Sequence, residues 1–153
     1  MKLLVYTDGK KSSDNALHFA SELARRLSAE LAVITVRPGT HATEEPPPVG
    51  LEFALAKRHR LAPGLENLIG AAQALSSHGL FEMPDSITIR DTPYGYMFFI
   101  KKADGQRIAF YECFGNFIEA LNHEVDKHAY DLLIIAPQRR GKLQRMVVGD
   151  TTR

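Results

Sequence analysis

Residues 2–36, KLLVYTDGKKSSDNALHFASELARRLSAELAVITV, read as a strand, a helix and a second strand. Residues 2–7 are an apolar run of strand length, and Asp8-Gly9 ends it with a turn signal. Ser12 or Ser13 is predicted to cap a helix from about Asp14 to Ser28. Ala16, Ala20, Leu23 and Leu27 recur at helical spacing, while Glu22, Arg25 and Arg26 fall on the opposite face. Residues 30–36 form a second continuous apolar run. A helix joining two such strands is the crossover that builds a parallel sheet.

Beyond this unit the pattern continues with one interruption. Residues 38–50 hold Pro46-Pro47-Pro48 and read as a surface loop, since proline excludes a regular helix or central strand there. Residues 51–60 read as a short helix stopped before Pro63. Residues 65–78 give a clearer one, with Leu65, Leu68, Ile69, Ala72 and Leu75 on one face and Gly79 as its C-terminal cap. Ser86–Arg90, Tyr96–Lys101 and Arg107–Cys113 then read as strands with no helix between them, so they pair antiparallel. Ala103-Asp104-Gly105-Gln106 is a hairpin turn signal, and residues 86–107 are expected as a β-hairpin insertion at the sheet edge. Asn116, with Glu119 at capping-box spacing, opens a helix to about His128 whose Ile118, Leu121 and Val125 share a face. Residues 131–135 are a fourth buried parallel strand, and nothing divides the 153 residues into more than one domain.

Composition narrows the function classes. Hydrophobic residues are 44% and charged residues 24% of the chain, which is ordinary for a globular protein. A formal net charge of +1 supplies no global field toward nucleic acid or membrane, and no apolar run approaches a membrane span. The first residues are too short an apolar stretch for a signal peptide. Cys113 is the only cysteine, which rules out an internal disulfide and points to a reducing cytoplasm. With six scattered histidines at no ligand spacing, no metal site is expected.

The chemistry-bearing residues lie at two strand ends. In residues 131–153, DLLIIAPQRRGKLQRMVVGDTTR, a strand opens into a loop with Arg139, Arg140, Lys142 and Arg145 and then into Gly149-Asp150-Thr151-Thr152. A buried strand followed by a Gly-x-x-Thr loop is a way to hold phosphate on backbone N–H groups. The basic loop reads either as a phosphate grip by arginine or as a solvated surface. Asp8, at the carboxyl end of the first strand, is either a ligand residue at the sheet crevice or a turn residue capping its neighbours. Tyr94, Tyr96, Phe98, Phe99, Phe110, Tyr111 and Phe114 crowd the hairpin, as core or as an interface. Cys113 reads as a buried structural thiol. Gly9-Lys10-Lys11-Ser12 lacks the earlier glycine of a phosphate loop.

LLVYTDGKKSSDNALHFA at the start and DLLIIAPQRRGKLQRMVVGDTT at the end resemble the universal stress protein family. The resemblance implies an open α/β/α three-layer, Rossmann-like parallel sheet of order 3-2-1-4-5, here with its fifth strand missing and the domain incomplete at its C-terminus. ATP-binding members carry Gly-x2-Gly-x9-Gly-(Ser/Thr) after the fourth strand. Ala136, Arg139 and Gly149 fit that spacing, followed by Asp150. The first two glycines are replaced, and Pro137 removes an N–H donor. Asp8 and Val36 match the ribose and adenine positions, and Thr152, beside Thr151, matches a later phosphate-contacting hydroxyl. The resemblance therefore implies nucleotide-binding positions at Asp8, Val36, Ala136, Arg139, Gly149, Thr151 and Thr152. It implies a cytoplasmic, non-catalytic stress-response or regulatory protein with a degenerate nucleotide pocket, acting as a homodimer. Two other readings stand beside it: a working ATP or adenine-nucleotide binder, and an interaction module joined through a sheet edge or the aromatic hairpin.

Overall fold

The structure is a computed structural model, and it describes residues 1–37 and 63–136. The short helix expected over residues 51–60, and the proline loop before it, lie outside the described residues. Strand β1 is Lys2–Tyr6, followed by helix α1, Ser13–Leu27, and strand β2, Glu30–Arg37. Helix α2 is Pro63–Ser77. Three strands come next in succession, β3 (Arg90–Thr92), β4 (Gly95–Lys101) and β5 (Arg107–Phe114), then helix α3 (Phe117–His128) and strand β6 (Leu132–Ile134).

The strands form one mixed sheet of order β3-β4-β5-β2-β1-β6. β1 runs parallel to β2 and to β6, and β2 runs parallel to β5. β3, β4 and β5 pair antiparallel. The four parallel strands thus take the order 3-2-1-4 that the family resemblance implies, and the antiparallel strands extend the β5 edge. Right-handed crossovers fix where the helices go. The steps β1-α1-β2 and β2-α2-β5 travel the same way across the sheet, so α1 and α2 share a face. The step β5-α3-β6 travels back, which puts α3 on the other face.

Burial reflects this layering. Leu3, Leu4 and Val5 are all fully buried because β1 is covered on both faces. Leu3 and Val5 join Leu31, Val33 and the apolar stripes of α1 and α2. Leu4 joins Ala32, Ile34 and Leu121 beneath α3. Phe98 and Phe110 oppose each other across β4 and β5 and stack at 4.8 Å, with the Phe81 ring edge-on to Phe110. Tyr96, Phe98 and Phe110 are therefore core, whereas Tyr94 is 55% exposed.

Local chemistry sets the element ends. Asn116 Oδ1 accepts hydrogen bonds from the Ile118 and Glu119 N–H groups and starts α3. Gly79, at φ +85°, ends α2, with its N–H on the Ser76 carbonyl and the Leu80 N–H on the Leu75 carbonyl. In the 103–106 turn, Lys102 N–H bonds the Gln106 carbonyl at 2.7 Å. Two expectations are corrected. Ser12 precedes α1 in helical conformation with no side-chain cap bond, and the Ser13 hydroxyl turns to Asp8 instead. The strand expected at Ser86–Arg90 starts only at Arg90 and runs to Thr92. Ile87 and Ile89 pack into the α1–α2 core and form no ladder, so alternation there reflects core contact without strand pairing.

One buried charge constrains this architecture. Glu112 on β5 is 2% exposed, and its Oε1 accepts the Tyr96 N–H at 2.8 Å. Arg37 Nε lies 3.4 Å from Oε2, and neither atom makes a hydrogen bond among the described residues. The backbones of Gly64 and Gly95 come so close that a Cβ at either would strike this carboxylate. Burial pushes the Glu112 carboxyl above the usual carboxylate range, against the pull of the Tyr96 N–H and Arg37. Gly64→Ala is expected to push Glu112 off its partners and cost about 1–3 kcal/mol in urea unfolding. A raised folded-state pKa stabilises while the group is protonated, and that contribution is lost as pH rises through it. The stability of Glu112→Gln relative to the parent should therefore grow from about pH 4.5 upward. Parallel stability–pH curves for the two proteins would contradict this.

Candidate functional site: the carboxyl end of β1 and β6

The direction of chain travel reverses between β1 and β6. Leu3, Leu4 and Val5 pair with Leu132, Leu133 and Ile134. The chain leaves β1 toward α1 on one face, while β6 is reached from α3 on the other. In an open α/β sheet the crevice at such a point, beyond the carboxyl strand ends, is where ligands bind. Asp8 comes after β1 there, and Ala136 after β6.

Asp8 is held in place by its own loop. Its Oδ1 accepts the Ser13 hydroxyl at 2.7 Å and the Lys10 N–H at 2.9 Å, and the Asp8 N–H donates to Ser13 Oγ at 3.2 Å. Ser13 is buried, so the carboxylate is tied to the first residue of α1. Thr7 supports the turn from below: its Oγ1 accepts the Gly9 N–H, and its own N–H reaches the Ile34 carbonyl at 2.9 Å. Gly9 has φ +78°, and a side chain there would strike the Asn67 amide. Asn67 donates in turn to Thr35 Oγ1 at 3.3 Å. A polar rim of Thr7, Asp8, Ser13, Thr35 and Asn67 therefore links the ends of β1 and β2 to α2. Of these, only Asp8 stands out in the sequence as a candidate, for ligand or for turn, and its bonds to Lys10 and Ser13 give it the turn role; the rest carry no motif, and only the crossing of α2 over the strand ends assembles them.

Val36 lies near the end of β2, opposite Cys113 of β5. It belongs to the α3 side of the sheet with Tyr6 and Phe117, whose rings meet edge-on at 4.9 Å. Ala136 is 4% exposed and is part of the core beneath α1 and α2. Asp8, Val36 and Ala136 thus come to the same edge of the sheet. Arg139, Gly149, Thr151 and Thr152, and with them the basic loop, lie outside the described residues.

The other titratable groups are structural in their surroundings. Burial, with Asp8 and Cys113 nearby, pushes the Tyr6 hydroxyl up to about 12. Burial, then Glu124 and Glu112, pushes the Cys113 thiol up to about 12. Tyr111 and Tyr130 share a hydrogen bond at 3.2 Å under α3, and desolvation raises both. Glu124 pairs with His128 at 3.2 Å beside them. Among the described residues no group of three or more histidine, cysteine or carboxylate side chains is arranged to hold a metal ion, and no helix is long and apolar enough to cross a membrane.

Sheet order and crevice define an open α/β protein of the Rossmann-like class. The universal stress protein family model matches residues 1–153, and the chain belongs to that family. Solved structures agree on the fold. A universal stress protein in complex with cAMP superposes with a TM-score of 0.58 at 19% identity, covering 100% of this chain and 90% of the other. A family protein from Burkholderia pseudomallei gives 0.54 at 16%, over 97% and 89% of the two chains. One from Lactobacillus plantarum gives 0.51 at 16%, over 99% and 87%. No match is found among curated proteins.

Because the Cys113 thiol is buried and its ionisation is suppressed, a thiol reagent at neutral pH should modify native protein at least tenfold more slowly than urea-unfolded protein. Equal rates would place the sulfur at the surface.

Proposed function

We propose that this universal stress protein is a non-catalytic, cytoplasmic regulatory protein that binds an adenine nucleotide in the crevice between β1 and β6. The observation that carries the reading is the position of Asp8. Both hydrogen bonds to its carboxylate fall on Oδ1, so Oδ2 has no partner among the described residues and is available to accept from ribose hydroxyls. Val36, with Tyr6 and Phe117 on the same face, supplies an apolar wall for a base. The exposed Lys10 and Lys11 stand just past Asp8 and add positive charge near the strand end. Ala136 replaces a glycine of the family pattern, but its methyl group belongs to the core beneath α1. Its burial there supports a pocket whose glycine pattern is degenerate and yet not closed by this side chain. A relative solved with cAMP supports an adenine ligand as the class to test. ATP is the ligand that the family pattern points to, with Arg139, Gly149, Thr151 and Thr152 assigned to its phosphates. The reading gives no residue a catalytic role.

Calorimetric titration of AMP, ADP, ATP with magnesium, and cAMP tests this. Binding by one of them is expected, and Asp8→Ala should weaken it roughly tenfold to a hundredfold, the worth of a hydrogen bond to a charged group. No heat at millimolar nucleotide, or equal affinity in Asp8→Ala, would overturn it.

A second feature favours self-association. Among the described residues β6 has a strand on one side only, and Leu132 on it is 41% exposed. An open strand edge recruits another chain, and we propose a homodimer joined there. Light scattering after size exclusion should give twice the monomer mass, falling to the monomer mass in Leu132→Lys; a monomeric parent at high micromolar concentration removes the proposal.

A further inference from the structure

The six histidines look scattered along the chain, but the fold brings two of them into contact. His18 lies on α1 and His78 comes just after the last turn of α2. Their Nδ1 atoms are 3.1 Å apart, and the rings meet at 4.4 Å and 65°. Nitrogens that close either share an N–H···N hydrogen bond, one ring donating and the other accepting, or, with both lone pairs free, hold a metal ion between them. The spacing fits a metal. With metal–nitrogen bonds of about 2.0–2.1 Å, two cis ligands stand about 2.9 Å apart at a right angle and about 3.3 Å apart in a tetrahedron. The observed separation lies between these limits.

The surroundings keep the pair accessible. His18 is exposed and His78 half-buried. Glu22 sits one turn beyond His18 on α1, with its carboxylate on Arg25 at 3.0 Å and on Arg26 at 3.7 Å. Arg25 also donates to the His78 carbonyl at 3.4 Å, which ties the end of α2 to α1. Both arginine partners of Glu22 are exposed, so this carboxylate can swing toward the histidines at small cost.

We propose that His18 and His78 form a divalent transition-metal site that clips the end of α2 to α1. Imidazole ligands select copper, nickel and zinc over magnesium and calcium. Two protein nitrogens leave the remaining positions to water or to Glu22. The site is separate from the nucleotide crevice and stands or falls without it. Metal binding would lock the two helices that cover one face of the sheet, and so raise the stability of the folded state only.

The test uses untagged, chelator-stripped protein. Copper, nickel and zinc chlorides are titrated by calorimetry, with magnesium and calcium chlorides as the contrast. One equivalent of transition metal should bind the parent, at least tenfold more weakly in His18→Ala and in His78→Ala, with no comparable heat from magnesium or calcium. Copper(II) electron paramagnetic resonance should show nitrogen coupling that both variants lose. Zinc should raise the melting temperature of the parent and not that of His78→Ala. Binding should weaken in acid, where imidazole must give up a proton to ligate. His18 is exposed and His78 half-buried, so both variants are expected to fold, which their circular dichroism checks; His18→Asn serves as a second probe of the same ligand. Unchanged affinity in both alanine variants, or no binding at millimolar metal, would overturn the site. So would a zinc-induced rise in melting temperature that persists in the double variant, which would assign binding to other histidines.

Discussion

The pairing of β1 with a parallel strand on each side governs this molecule. β2 lies on one flank and β6 on the other, and the chain reaches them by opposite routes. Right-handed crossovers turn those routes into two helical layers, α1 and α2 against α3. Leu3 and Val5 must then satisfy one layer and Leu4 the other, which is why the strand is apolar without alternation. The same reversal opens the crevice at the strand ends. A crevice at this place is thus a consequence of strand order, and Asp8 is brought to its edge by the length of β1.

The hairpin next to β5 solves a separate problem. It covers an edge that would otherwise be open, and it carries the stacked Phe98–Phe110 pair into the α2 side of the core. Its cost is Glu112, a β5 carboxylate sealed between the start of β4, Arg37 and the N-terminal turn of α2. Burial destabilises its charged form, and the two close glycines show that the backbone has been shaped around it. Gly64 and Gly95 are distant in sequence from each other and from Glu112, yet they form one site in space. On the hairpin's other surface Phe99 is half-buried, with the Arg107 guanidinium 4.4 Å and that of Arg90 5.7 Å from the ring centre. This aromatic is thereby screened by its own neighbours.

Much of the fold is legible because its signals are local. The apolar run at residues 2–7, the stripe of α1, Gly79 and Asn116 each act within a few residues, and the parallel order came from the family resemblance. The weak points are places where one pattern serves two purposes. Ser13 has the look of a cap, but its hydroxyl is taken up by the Asp8 loop: its oxygen accepts the Asp8 N–H and its O–H donates to the Asp8 carboxylate. Ile87 and Ile89 alternate like a strand, but they alternate because the chain crosses the core there.

The sequence by itself determined the element types, the open α/β class and the position of Asp8 at a strand end, because periodicity and turn residues act over short range. Only the tertiary structure decided which distant residues meet. The Thr7–Asp8–Ser13 cluster joined through Gly9 to Asn67 and Thr35, the Arg37–Glu112 pair under Gly64, and the contact of His18 with His78 all depend on strand register and helix crossing. Those are set by burial summed over the whole core, and no spacing along the chain encodes them.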